Sequence, residues 1–107
     1  MMKYRLIFLA AFLFCIQAGF AQTTIAEARA LPLGTTVTVK GVVTNGSELS
    51  TIRYLQDATA GIAAYSFTMS SVKRGDSIEV TGVLKNYNYL LELDPVNSFT
   101  VLAENRP

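Results

Sequence analysis

The sequence has no histidine and no tryptophan, and its single cysteine is Cys15. Without histidine there is no histidine-based triad and no imidazole metal site. Ser47, Ser50, Ser66, Ser70, Ser71, Ser77 and Ser98 then have no general base nearby in sequence, and none sits in a nucleophile elbow. The carboxylates Asp57, Asp76, Glu79, Glu92 and Asp94 are scattered, and no loop spaces them as calcium ligands. The inventory therefore predicts no enzyme, no metal and no cofactor. Charge is scarce as well, at 16% Asp, Glu, Lys and Arg and a formal net of +1. So small a net charge provides little of the field that sustains non-specific nucleic-acid affinity.

Long apolar runs are also missing, with one exception at the start. Lys3 and Arg5 precede an unbroken apolar stretch from Leu6 to Ile16, and Gly19-Phe20-Ala21 closes it with small residues where a signal peptidase reads. The run falls short of the ~20 residues a membrane-spanning helix needs, which weighs against the competing reading as an uncleaved anchor. Residues 1–21 are expected to be a signal peptide cut after Ala21, which places the product in the periplasm or outside the cell with no membrane anchor. Phe14 does not give Cys15 the small-residue context of a lipoprotein box, so Cys15 leaves with the leader. Lys3 and Arg5 leave too, so acids outnumber bases by one in the remainder. Residues 22–107 are enough for one compact domain.

Two stretches in that domain repeat each other. Gly34-Thr35-Thr36-Val37-Thr38-Val39-Lys40-Gly41-Val42-Val43 and Gly75-Asp76-Ser77-Ile78-Glu79-Val80-Thr81-Gly82-Val83-Leu84 share a turn glycine, two periods of alternation and an internal glycine. Glycine inside a strand marks a bulge, a corner or a close backbone approach. Two strands bent at the same relative place predict a small sheet that closes on itself, which also removes its edges.

Around these strands, Thr24-Ile25-Ala26-Glu27 has capping-box spacing and predicts a short helix from Ile25 to about Ala30, ended by Pro32 and Gly34. The first strand is expected from Thr35 to Thr44, followed by a loop from Asn45 to Ser50. The second, Thr51 to Gln56, alternates ambiguously: Ile52 and Tyr54 face one way and Arg53 and Leu55 the other. Asp57 to Gly61 is a turn in which Asp57 accepts the turn's own amides. A third strand spans Gly61 to Phe67, and about one helical turn links it to the fourth. Lys85-Asn86-Tyr87-Asn88 reads as a hairpin loop and Tyr89 to Leu93 as a fifth strand. Asp94-Pro95 breaks that strand, Phe99 to Leu102 returns as a last short one, and Glu104 to Pro107 frays.

The order is that of an all-β, five-stranded OB-fold Greek-key barrel with a short N-terminal helix. Thr24-Ile25-Ala26-Glu27-Ala28-Arg29, Val37-x-Val39-x-Gly41-Val42-Val43-Thr44, Leu55-Gln56-Asp57-x-Thr59-x-Gly61-Ile62 and Gly75-Asp76-x-Ile78-x-Val80-x-Gly82 resemble the OB-fold domain of secreted bacterial nucleases and other multidomain exported proteins. The chain is also similar, in size and architecture, to small periplasmic bacterial OB-fold proteins associated with stress tolerance. Gln56-Asp57 and Ala28-Arg29 match the nuclease-associated domain better. In those proteins a neighbouring domain performs catalysis, so either resemblance implies a non-catalytic module.

The fold's ligand face is the outer side of its second and third strands, flanked by the loops after the first and fourth. The expected ligand-binding residues on these elements are Lys40, Arg53, Tyr54, Tyr65, Lys85 and Tyr87. Tyrosines over a groove stack on bases at about 1–3 kcal/mol each, and cations track phosphates. Single-stranded nucleic acid is the first expected ligand and an oligosaccharide the next. A protein partner, with no polymer ligand, is the alternative. Against the two polymer ligands stands a plainer account, in which the tyrosines close barrel edges and the charges are solvated.

Overall fold

The computed structural model describes residues 23–104. The expected signal peptide and residues 105–107 of the expected frayed end lie outside them. Among the described residues there are one α-helix, α1 (Ile25–Arg29), and five strands: β1 (Thr36–Val43), β2 (Ile52–Gln56), β3 (Gly61–Tyr65), β4 (Ser77–Tyr87) and β5 (Leu90–Ala103). The strands close in the order β1-β2-β3-β5-β4, all neighbours antiparallel except β3 and β5. This is the expected all-β, five-stranded OB-fold barrel.

The two sequence repeats pair with each other, from Thr36 opposite Val83 to Val42 opposite Ser77. Gly34 N–H donates to Leu84 O at 2.8 Å and Gly75 N–H to Val43 O at 2.7 Å, so the first glycine of each repeat meets the last residue of the other. Both glycines have φ of 90°, a region that costs a residue with a Cβ about 1–2 kcal/mol.

The internal glycines have different tasks. β1 lies along β4 up to Val42, where it also takes Gln56 of β2 as a partner. Gly41 precedes that change of partner, and a Cβ there would stand 2.9 Å from the Gln56 carbonyl oxygen. Gly82 lies where the β4–β5 register shifts, with Pro95 O and Leu93 Cβ each 3.0 Å from where its Cβ would be. One glycine lets two strands approach, and the other sits in an irregular stretch of ladder.

Three strand boundaries correct the expectations. β5 runs unbroken through Asp94-Pro95, because the register shifts accommodate a residue with no N–H. β3 ends at Tyr65 rather than Phe67, which opens a 3-10 turn over Phe67–Ser71. β4 continues to Tyr87, so Lys85 and Tyr87 are strand residues and the loop is Asn88-Tyr89, with φ of 50° and 69°. Two successive left-handed residues are the signature of the tight turn whose twist suits a hairpin.

Inside the barrel, Val39, Leu55, Ile62, Ile78, Val80 and Leu93 interdigitate, with Ile25 and Ala28 of α1 joining the same core. The capping box at Thr24 and Glu27 is present as expected. Five residues make a marginal helix on their own, and the β2–β3 turn holds this one. Asp57 accepts Thr59 N–H at 2.8 Å, Ala60 N–H at 3.0 Å and, beyond the turn, Ile25 N–H at 2.9 Å. Thr59 Oγ1 accepts Ala26 N–H at 3.1 Å, and Arg29 Nη1 donates to Gly61 O at 3.0 Å.

The Ile25 amide, with the Thr59 hydroxyl and the turn amides, holds the Asp57 carboxyl far below the usual carboxylate range. A carboxylate whose pKa falls on folding stabilises the fold above its unfolded pKa of about 3.9 and loses that contribution as the pH drops. Asp57→Ala is therefore expected to melt well below the parent at pH 7, with the gap narrowing as the pH is taken below about 4. A gap of constant width across that range contradicts the assignment.

Candidate ligand groove

Alternation along β2 decides which of its residues can meet a ligand. Arg53 and Leu55 point inward, and Ile52 and Tyr54 face out with Ala63 and Tyr65 of β3, their register partners being Ile52–Tyr65 and Tyr54–Ala63. On β5 the outer positions are Leu90, Glu92 and Asp94, and on β4 they are Lys85 and Tyr87. Glu92 pairs with Ala63 on one side and Lys85 on the other, and Leu90 pairs with Tyr87. The outer face thus carries a transverse row of Tyr54, Ala63, Glu92 and Lys85.

A groove of about 510 Å³ crosses this face. Ile52, Tyr65, Leu90 and Tyr87 form its apolar and aromatic walls, Leu49 closes it from the β1–β2 loop, and Glu92, Asp94 and Lys85 supply its charge. Tyr65 and Tyr87 are 39% and 58% exposed, so their rings are available to a ligand. Lys85 Nζ donates to Asp94 Oδ2 at 3.3 Å, an exposed pair of the kind worth about 0–1 kcal/mol. Glu92 lies deeper, at 4% exposure. Its burial, with Asp94 nearby, pushes its carboxyl above the ordinary range while Lys85 pulls the other way.

Of the six residues expected to bind, the groove brings together Tyr65, Lys85 and Tyr87. Tyr54 shares the face but lines an adjoining hollow of about 340 Å³ with Arg29, Gln56 and Leu91, joined to the groove through Leu90. Lys40 lies elsewhere, beside Val42, Asp57 and Leu102. Arg53 is a correction, because it is 0% exposed and turned into the barrel. Its guanidinium donates to Val72 O at 2.9 Å, Ser50 O at 2.6 Å, Ile52 O at 2.9 Å and Ser70 O at 3.2 Å.

Arg53 nonetheless shapes the groove, since Ser50, one of its acceptors, lies in the wall and has φ of 61°. Asn45 holds the same loop from its other end, donating to Ile52 O at 3.0 Å and accepting Tyr54 N–H at 2.7 Å. Glu48 adds an ion pair to Arg74. The loop is therefore a braced wall. Sequence reasoning missed Leu49, Ile52, Leu90, Glu92 and Asp94 as groove residues. The alternation of Glu92 and Asp94 with Leu91 and Leu93 signalled their side of the strand, but nothing local signalled that Glu92 is buried. Among the described residues no group of three or more metal-ligating side chains comes together.

No protein-family model and no curated protein matches this chain. Among solved structures it is similar to the hypothetical protein ygiW from E. coli, with a TM-score of 0.63 and 20% identity over 78% of this chain and 92% of that one. Likeness at that identity speaks for the fold, and it agrees with the strand order in making this chain an OB-fold-like domain.

Proposed function

We propose that this chain is an exported, non-catalytic OB-fold module that seats an extended, non-anionic ligand in the groove, with a neutral oligosaccharide as the first ligand class. The observation that carries this reading is the makeup of the groove: two exposed tyrosine rings over a floor with two carboxylates and one lysine. Rings of this kind stack on flat apolar faces, and carboxylates accept hydroxyl protons. A phosphate backbone meets net negative charge here, because Arg53 is buried and Lys40 lies outside the groove. That weighs against single-stranded nucleic acid, whose affinity depends on cations tracking phosphates. The nuclease-associated resemblance and the leader at residues 1–21 support export and a role without chemistry of its own.

The test is a titration panel of neutral oligosaccharides and a single-stranded oligonucleotide at low and moderate salt, read by tyrosine fluorescence. An oligosaccharide is expected to bind with little salt dependence, and Tyr65→Ala and Tyr87→Ala each to weaken it about tenfold, or ~1.4 kcal/mol. Salt-sensitive binding of the oligonucleotide alone sinks this ligand assignment.

A protein-interaction role without a polymer is the second reading, favoured by one feature. Phe67 is 77% exposed, and its ring lies 6.2 Å from that of Tyr65 at 60°. Exposed aromatics of this sort anchor protein interfaces. If a partner uses it, Phe67→Ser is expected to lose capture of that protein while leaving oligosaccharide affinity unchanged. Capture that survives the substitution removes this reading.

A further inference from the structure

Glu92 is an unusual residue for the middle of an apolar groove. It is 4% exposed, it lines the groove together with Tyr65 and Tyr87, each two positions along from its register partners Ala63 and Lys85, and no donor among the described residues hydrogen-bonds its carboxylate. The nearest cation in register, Lys85, makes its close contact to Asp94 Oδ2 instead. With no protein donor and no sealed, unpaired side-chain oxygen among the described residues, the carboxylate faces the groove and depends on what fills it.

We propose that Glu92 anchors a cation subsite in the groove, taking a primary ammonium group carried on an alkyl stem. The inference rests on the groove being the ligand site. The chemistry around Glu92 selects this class. Its one acidic neighbour, Asp94, adds attraction for a positive guest and repels an anion. A hard divalent ion held by these two carboxylates would have to keep most of its waters, for which the apolar walls provide no partners. An ammonium, by contrast, brings three donors to a carboxylate that has none. The Tyr65 and Tyr87 rings offer faces to the cation, and Ile52 and Leu90 offer apolar surface to its methylenes. The charged and titratable groups lining the groove are Lys85 and Tyr87 from β4, Tyr65 from β3 and Asp94 from β5, and neither β2 nor the β1–β2 loop adds a charge. Lys85 is the internal competitor.

An ammonium of this kind can belong to a free diamine or to a lysine side chain of a polypeptide. The experiment titrates the purified protein with cadaverine, with an end-blocked lysine and with pentanediol, following the carboxyl carbon resonance of Glu92 by NMR. Saturable shifts with either amine and none with the diol are the expected result. Tighter binding of cadaverine indicates the free diamine as source, and tighter binding of the blocked lysine indicates the side chain. Glu92→Gln keeps the shape of the side chain and is expected to weaken the amine at least tenfold, read from backbone amide shifts. Its folded state is expected to melt no lower than the parent, because the change removes a carboxylate that burial disfavours and that no protein donor holds. Equal binding of the diol, unchanged amine binding by Glu92→Gln, or no shift with either amine overturns the proposal. If an oligosaccharide still perturbs Tyr65 and Tyr87 in that case, the groove reading stands and only the ammonium subsite is lost. If no probe perturbs them, both fall.

Discussion

Arg53→Ala is expected to remove a large share of the domain's stability. The guanidinium has no ion-pair partner among the described residues, and backbone carbonyls of Ser50, Ile52, Ser70 and Val72 hold it. Truncation leaves a void in the interior and deprives these carbonyls of their shared donor. Ile52 O keeps Asn45 as a partner, while the exposed residues Ser50 and Ser70 stand where water can reach. Val72 is 1% exposed, and its carbonyl has the least recourse. At about 1–3 kcal/mol for each acceptor left dry, plus the lost packing of the stem, the total is about 3–5 kcal/mol. A domain of this size has only about 5–15 kcal/mol in all.

Urea unfolding followed by circular dichroism measures this effect, and Arg53→Met separates its causes. Methionine refills much of the void but brings no donor. It is expected to recover only a minor part of the loss, and a methionine variant as stable as the parent contradicts the hydrogen-bond account. The consequence for binding is indirect. Because Arg53 also braces the loop that carries Leu49 and Ser50, any variant that still folds is expected to bind its groove ligand more weakly.

Gly41→Ala is the second large effect, at about 1–3 kcal/mol. The added carbon would meet Gln56 O at 2.9 Å, Gln56 N at 3.1 Å and Leu55 Cδ1 at 3.1 Å. Two of these atoms belong to the backbone, so relief requires β1 to part from β2 where the barrel changes partners. Gly82→Ala is expected to cost less, because its closest contacts, Leu93 Cβ and Pro95 O, are at 3.0 Å and lie where the β4–β5 ladder is already irregular. Thermal melts of the two variants check the order. Equal and small losses would mean that the closure tolerates a side chain at Gly41.

The fold was largely legible because its signals are local. The capping box at Thr24 and Glu27, the turn at Asp57 and the paired repeats each announce themselves within a few residues, and each is found in place. The groove was legible only in part. β2 carries one polar and one apolar residue on each face, so its alternation placed Arg53 opposite Tyr54 without saying which was inside. The carbonyls that settle it come from a segment nearly twenty residues later, around Ser70 and Val72. Lys85 and Tyr87 were assigned to a loop because Asn86 and Asn88 read as turn residues, whereas the ladder with β5 extends to Tyr87. Glu92 is buried by β3 and β4 closing on either side of it, and such burial exists only once the barrel is assembled.

The most direct test is a backbone-amide NMR map of the protein saturated with its best ligand from the panel. The account predicts that the largest shifts fall on Tyr65, Lys85, Tyr87, Leu90 and Glu92, with Lys40, Lys73 and Arg74 unmoved. Shifts centred on those three basic residues, with the groove silent, contradict it.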